Sequence, residues 1–215
     1  FRPDLLSGVC GVSVPYSPSI EMSLLDLIRA SVGPDGFHYI LYFQEPGVAD
    51  AELGADPLDT MRRLLWMASA DAPTLETSGD ADRTSFLGDG PAPEGLPGWL
   101  DDGDLQAYAS AFMRTGFTGG INWYRNLQRN WELSAPWRHA PITVPALFVG
   151  GRQDPVLAGS ATPDDDHPFL QAQAAYCPDL RVSWIEDAGH WTQQEQPEAT
   201  SAALLAFLAE IAPSS

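Results

Sequence analysis

The chain has 215 residues, 44% of them hydrophobic, with 29 acidic against 11 basic residues and a formal net charge of -18. That length and apolar content suit one domain, or a core with an appended module, and exclude wholesale disorder. So acidic a surface repels phosphate backbones and anionic lipid, which argues against nucleic-acid and membrane partners, and the longest apolar runs, such as 144–149, are far too short for a bilayer.

Two cysteines, Cys10 and Cys177, make no disulfide framework, and Cys10, inside an apolar run, is expected in the core. The opening Phe1-Arg-Pro-Asp, followed at once by a strand-like run, reads as a processed or truncated start. Residues 9–14 (Val-Cys-Gly-Val-Ser-Val) form a short buried strand closed by Pro15. Helical periodicity follows over 20–32 and over 57–69, where Pro57 occupies the first turn. Residues 71–98 are rich in Gly, Pro, Asp and Ser, densest at Gly88-Asp-Gly-Pro-Ala-Pro, and read as a long loop with a functional or mobile role. A helix over 101–115 begins acidic and ends at Arg114 and Gly116, an order that suits the helix dipole and a glycine stop. Residues 119–133, rich in Trp and Arg, read as one further helix.

The pattern changes at Pro141. The continuous apolar run 142–149 predicts a strand buried on both faces, followed by Gly150-Gly-Arg-Gln-Asp154. A helix over 168–176, a strand over 181–185 ending in Glu186-Asp-Ala-Gly-His190, and a closing amphipathic helix over 197–210 complete the chain. The alternation of strand and helix predicts an α/β fold with a mostly parallel sheet. The expected organisation is a core strand segment at 1–15, a helical lid at 16–140 and the C-terminal part of the core at 141–215.

In such sheets functional residues gather beyond the carboxyl ends of strands, where Asp154 and His190 both fall. A carboxylate beside an imidazole fixes its tautomer, and such a His can take a proton from a nucleophile or from water. The alternative is that Asp154 caps the following helix and His190 is an ordinary loop histidine; Asp187 is a rival acid with the character of a turn residue. Tyr39, Tyr42 and Tyr124 supply phenols. Aromatics at helical spacing usually pack the core, but two phenols from separate lid elements could donate to an oxygen gaining negative charge. Asp164-Asp-Asp-His167 reads as a solvated turn rather than a metal site, and no other metal or phosphate motif stands out. His38 and His139 have no partner that the sequence identifies.

Three stretches carry a specific resemblance: Phe37-His-Tyr-Ile-Leu-Tyr-Phe-Gln-Glu-Pro-Gly-Val-Ala-Asp-Ala-Glu-Leu53, Gly116-Phe-Thr-Gly-Gly-Ile-Asn-Trp-Tyr-Arg-Asn-Leu-Gln-Arg-Asn-Trp131 and Asp187-Ala-Gly-His-Trp-Thr-Gln193. Together they resemble the soluble epoxide hydrolases of the α/β-hydrolase superfamily. The resemblance runs along nearly the whole chain and is weakest at 54–100 and 155–180. It implies the C-terminal half of an α/β-hydrolase core with an inserted helical lid. It also implies an Asp nucleophile forming an alkyl-enzyme ester, two lid tyrosines that hydrogen-bond the epoxide oxygen, and a His–Asp pair that activates water to release a vicinal diol. Matched residue by residue, the tyrosines are Tyr39 and Tyr124, the base is His190 and its acid is Asp154. Tyr42 matches an aromatic without that role. Trp191 matches a pocket residue, and Phe43 and Gln44, within the first motif, are assigned with it to substrate binding.

The family's nucleophile elbow, Gly-x-Asp-x-Gly, and its His-Gly-x-Pro motif do not occur in these residues. Phe1-Arg-Pro-Asp matches the stretch after the nucleophile helix, so Asp4 is not the nucleophile, which is expected upstream. These residues alone are expected neither to turn over an epoxide nor to fold stably. The expected substrate is a small hydrophobic epoxide, with water as second substrate, no cofactor, no metal, a cytoplasmic location and a homodimer as the assembly. A haloalkane dehalogenase-like enzyme, which would use halide-binding Trp or Asn donors, and a non-catalytic ligand-binding remnant of the fold are the competing readings.

Overall fold

The structure, a computed structural model, describes residues 2–18, 20–72, 83–88, 93–158 and 166–212. In chain order its elements are β1 (Val9–Val12), α1 (Leu24–Val32), α2 (Tyr39–Tyr42), α3 (Val48–Ala55), α4 (Pro57–Met67), α5 (Asp102–Thr115), α6 (Thr118–Arg125) and α7 (Leu127–Leu133). There follow β2 (Ala146–Gly151), α8 (Pro155–Ala158), α9 (Pro168–Ala174), β3 (Leu180–Ile185), α10 (Thr192–Glu195) and α11 (Pro197–Ile211). These fall into two compact units, one of Phe1–Ser19, Ala68–Thr74 and Trp137–Ser215, the other of Ile20–Met67 and Leu75–Pro136.

The first unit holds a parallel sheet in the order β1-β2-β3 among the described residues, with Val9 opposite Ala146 and Ala146 opposite Leu180. This is the expected α/β architecture. The middle strand β2 is buried along its whole length, because its alternate side chains meet helices on both faces. Leu147 and Val149 pack with Ile185, Ala188 and Phe207 of α11. Phe148, between them in sequence, points the other way, to Leu157 of α8 and Leu170 of α9. Burying a side chain the size of Phe148 contributes about 2–3 kcal/mol. The strand begins at Ala146, four residues later than the apolar run suggests. Pro145 has no N–H to give a ladder, although its carbonyl accepts from Val9 N at 2.9 Å.

Cys10, expected in the core, is exposed. It lies on β1, the edge strand of this sheet, which only β2 flanks among the described residues. Cys177 is buried.

The regular elements of the second unit are all helices among its described residues. α1 starts at the N-cap Ser23, whose side chain accepts from Asp26 N, and stops at Gly33 with φ 74°. α5 is capped by Asp101 and ends at Gly116, as its sequence implies. The single helix expected over 119–133 is two. Asn126, at φ -84° and ψ -2°, ends α6 and begins α7, and its side-chain amide bonds back to Asn122 O at 2.8 Å. A side chain that offers the backbone an alternative partner favours such a break. Of the loop at 71–98, residues 73–82 and 89–92 lie outside the described residues; 83–88 and 93–98 carry no helix or strand. Asp164 and Asp165 also lie outside them. His167 caps α9, with Nδ1 accepting from Phe169 N and Nε2 donating to Leu157 O. No helix among the described residues is long and apolar enough to cross a membrane.

Candidate active site

In the first unit the chain leaves β2 and turns directly into α8, and Asp154 occupies the turn. It has two jobs, one for each oxygen. Its Oδ1 accepts from Val156 N at 2.8 Å, which caps α8, and its Oδ2 lies 2.9 Å from His190 Nδ1. The helix cap and the partner of His190, alternatives in the sequence, are therefore both present in one side chain. Asp154 is wholly buried, while the His190 side chain retains 20% exposure. A carboxylate can only accept, so Nδ1 carries the proton and Nε2 keeps a lone pair for a proton from water.

Two glycines let the His190 loop lie close to its neighbours. A Cβ on Gly151 would meet Ala188 O at 2.2 Å, and one on Gly189 would meet Ala70 N at 2.5 Å. Thr192 fastens the loop further, donating its hydroxyl to Gly189 O at 2.9 Å and sharing a hydrogen bond with Ser13 Oγ beyond the end of β1. Asp187 is a turn residue with φ 52°, and its carbonyl accepts from Gln196. The Trp191 ring stands edge-on to His190, centroids 5.4 Å apart. His139, without an identified partner in the sequence, shares a hydrogen bond with Tyr176 Oη at 2.9 Å.

The second unit brings Tyr39 of α2 and Tyr124 of α6 together. Their rings meet edge-to-face, with centroids 5.6 Å apart, and their hydroxyls share a hydrogen bond. Several ties hold the two short helices in that relation. The Gln44 amide donates to Ile40 O at 2.8 Å and to Tyr124 O at 3.1 Å. Arg125, next to Tyr124, donates to Phe43 O at 2.9 Å and pairs with Asp50 of α3 at 2.6 Å. His38, also unpartnered in the sequence, caps α2 by accepting from Ile40 N; burial lowers its pKa, which keeps the ring neutral and able to accept. The same Arg125 guanidinium, helped by Thr118, holds the Asp50 carboxyl down at about 2.

Burial raises the Tyr124 phenol above its ordinary range, and the bond with Tyr39 offsets part of that rise. Tyr124 is therefore a protonated donor at neutral pH. Phe43, 4% exposed, lies with its ring 5.7 Å from Tyr39 and 5.2 Å from Tyr124.

Phe86 is an addition the sequence did not suggest. It comes from the loop, and its ring lies 5.8 Å from Tyr39 and 5.0 Å from Phe43. Glu52 holds it there, accepting from Phe86 N at 3.1 Å and Leu87 N at 2.8 Å. Tyr42 also bonds Glu52 and is pushed up to about 12, first by burial and then by that carboxylate. A lone Phe in a polar loop gives no periodic signal, and the acid that holds it lies 34 residues away. No cluster of three or more His, Cys, Asp or Glu side chains suited to a metal occurs among the described residues.

Residues 22–203 match the family described as the alpha/beta hydrolase family. The chain is 42% identical to Epoxide hydrolase A of Mycobacterium tuberculosis over 214 residues, covering 95% of this chain and 62% of that protein. It is 31% identical to Bifunctional epoxide hydrolase 2 of Sus scrofa, covering 97% of this chain and 35% of that one. Among solved structures it is similar to Epoxide Hydrolase A from Mycobacterium thermoresistibile, with a TM-score of 0.82 and 44% identity over 96% of this chain and 63% of the other. It is also similar to an epoxide hydrolase from an endophytic Streptomyces, with a TM-score of 0.84 and 35% identity over 98% and 62% of the two chains. The chain thus spans less than two thirds of the length of each of these relatives.

Proposed function

Since this chain belongs to the alpha/beta hydrolase family, we propose that its protein hydrolyses small hydrophobic epoxides to vicinal diols through an alkyl-enzyme ester. Residues 16–140 act as the lid of that enzyme. The observation that carries the reading is the pair of hydrogen-bonded phenols, Tyr39 and Tyr124. Two convergent O–H groups suit an oxygen that gains charge as its ring opens. The similarity to several epoxide hydrolases supports the same reading.

In the first step an Asp carboxylate, expected on a segment upstream of Phe1, attacks an epoxide carbon. The C–O bond breaks, its electron pair goes to the ring oxygen, and that oxygen takes a proton from a phenol. An epoxide is a strained ether with a poor leaving group, so this proton assistance matters. The nucleophile is already a carboxylate and needs no base. His190 is then free for the second step. Its Nε2 takes a proton from water, and the hydroxide adds to the ester carbonyl. The C–O bond to the diol then breaks, and the resulting acid gives its proton to the leaving alkoxide so that the carboxylate re-forms. The imidazolium proton returns through solvent to the phenolate left by the first step. Asp154 stabilises the imidazolium that exists in between. Trp191, Phe43 and Gln44 contact the substrate, which needs no cofactor. The reading extends to a cytoplasmic location and a homodimer, which cell fractionation and sedimentation test.

A single turnover in oxygen-18 water tests the ester, using protein expressed from the full reading frame. The first diol should carry no label, because its new oxygen comes from the aspartate. Label in that first diol, or no diol at all, would contradict the proposal. A haloalkane dehalogenase would instead release halide from a haloalkane, and a binding remnant would do neither.

A further inference from the structure

Three successive peptide N–H groups, of Gly189, His190 and Trp191, are all bonded, and two of them end on one side chain. Glu195, on α10, accepts from Gly189 N at 3.0 Å through Oε2 and from Trp191 N at 3.0 Å through Oε1. Its Oε2 also accepts from Ala70 N at 2.8 Å and, more weakly, from the Ser69 hydroxyl at 3.4 Å. The amide between, of His190, donates to Ala68 O at 2.8 Å. A single carboxylate therefore straddles the peptide groups on both sides of His190 and joins them to residues 69 and 70. All of these residues lie in the first unit.

An ionised carboxylate makes stronger and shorter bonds with backbone N–H groups than a neutral acceptor does. Here it closes a small ring of chain around the imidazole-bearing residue. With the backbone fixed on both sides, the direction of the His190 Cα–Cβ bond is fixed too, and the imidazole has only its two side-chain torsions left to set. The 2.9 Å contact with the buried Asp154 then sets those. The close packing of Gly189 on residues 68–70 is consistent with this. Any Cβ there would sit 2.5 Å from Ala70 N and 2.7 Å from Ala68 O, so the two segments can touch only at a glycine.

We propose that Glu195 is the positioning residue of His190: through the amides of Gly189 and Trp191 it aims the imidazole at Asp154 and presents Nε2 to the water. Glu195 touches no reacting atom. The proposal rests on the reading of His190 as the base, but its test needs no substrate, so the two can fail separately.

The test is proton NMR of the isotope-labelled protein near neutral pH. The His190 Nδ1–H, donated to a buried carboxylate, gives a low-field resonance that is assigned by its loss in His190→Gln. In the nearly isosteric Glu195→Gln, an NH2 replaces one acceptor and faces an N–H group. The expected result is loss of that resonance while the amide spectrum of β2 and β3 is unchanged. A resonance that persists in folded Glu195→Gln, with unaltered exchange, overturns the proposal. If this variant does not fold, the unmodified protein decides. The amides of Ala70, Gly189 and Trp191 should exchange at least about tenfold more slowly than that of exposed Gln193, and equal rates overturn the proposal.

Discussion

Oδ2 of Asp154, shielded entirely from solvent, lies 2.9 Å from Nδ1 of His190, and the other oxygen of the same carboxylate caps α8. One buried charge thus orders a helix start and an imidazole. Its position is dictated by β2, which ends three residues earlier, and by the Gly151–Ala188 approach that brings the β3 turn alongside.

Asp154→Asn separates the two jobs. The amide oxygen can still cap α8, but the group facing Nδ1 becomes a donor and selects the wrong tautomer. Loss of this charge-assisted bond should lower stability by about 1.5–3 kcal/mol. Ester hydrolysis should slow by on the order of 10³–10⁴-fold, as in other triads that lose their acid. Mass spectrometry of the quenched protein should show one equivalent of trapped alkyl ester. The same adduct should accumulate in His190→Gln.

The Asp50–Arg125 pair should show itself in acid. Asp50 is held at about 2 against an ordinary 3.8, so its folded form resists protonation more than its unfolded form. The stabilisation is complete above about 3.8 and disappears as pH falls from there to 2. Asp50→Asn should cost about 1 kcal/mol at pH 7, a figure reduced for the partial exposure of the pair. It should also flatten the acid limb of the urea midpoint against pH. Arg125→Lys should flatten it as well, because one ammonium cannot serve Phe43 O, Glu45 O and Asp50 at once.

Tyr42 gives an alkaline counterpart. Its folded pKa is raised to about 12, so the stabilisation is full below the ordinary value of 10.0 and is lost as pH rises through 12. Ultraviolet titration should show one phenol ionising near the top of the range. Tyr42→Phe should remove that transition, and Glu52→Gln should bring it down without restoring 10.0, because burial is the larger cause. Glu52→Gln should also loosen the Phe86 ring beside Tyr39, and raise kcat/KM for bulky epoxides relative to small ones.

The strands and the long helices were legible in the sequence because their signals are local. The run 144–149 has no polar residue, and α5 has an acidic start, a basic end and a glycine stop. Asp154 and His190 were legible because each follows a strand directly. The chain's other ties were not, for reasons of distance. Asp50 and Arg125 pair across 75 residues, and Ser69 and Glu195 meet across 126. Neither spacing leaves a periodic trace. The break at Asn126 and the exposure of Cys10 were missed because composition alone does not say when a side chain turns back on its own helix, or which strand forms the edge of a sheet.

The central claim is that Tyr39 and Tyr124 open the epoxide, and the rate of diol formation tests it most directly. Protein from the full reading frame should be compared with Tyr39→Phe, Tyr124→Phe and the double variant, using one hydrophobic epoxide. Each single change should cost about 10²–10³-fold in the rate of ester formation. The double variant should form no diol above background, with folding intact because both rings remain. A double variant that makes diol at the parental rate would contradict the account.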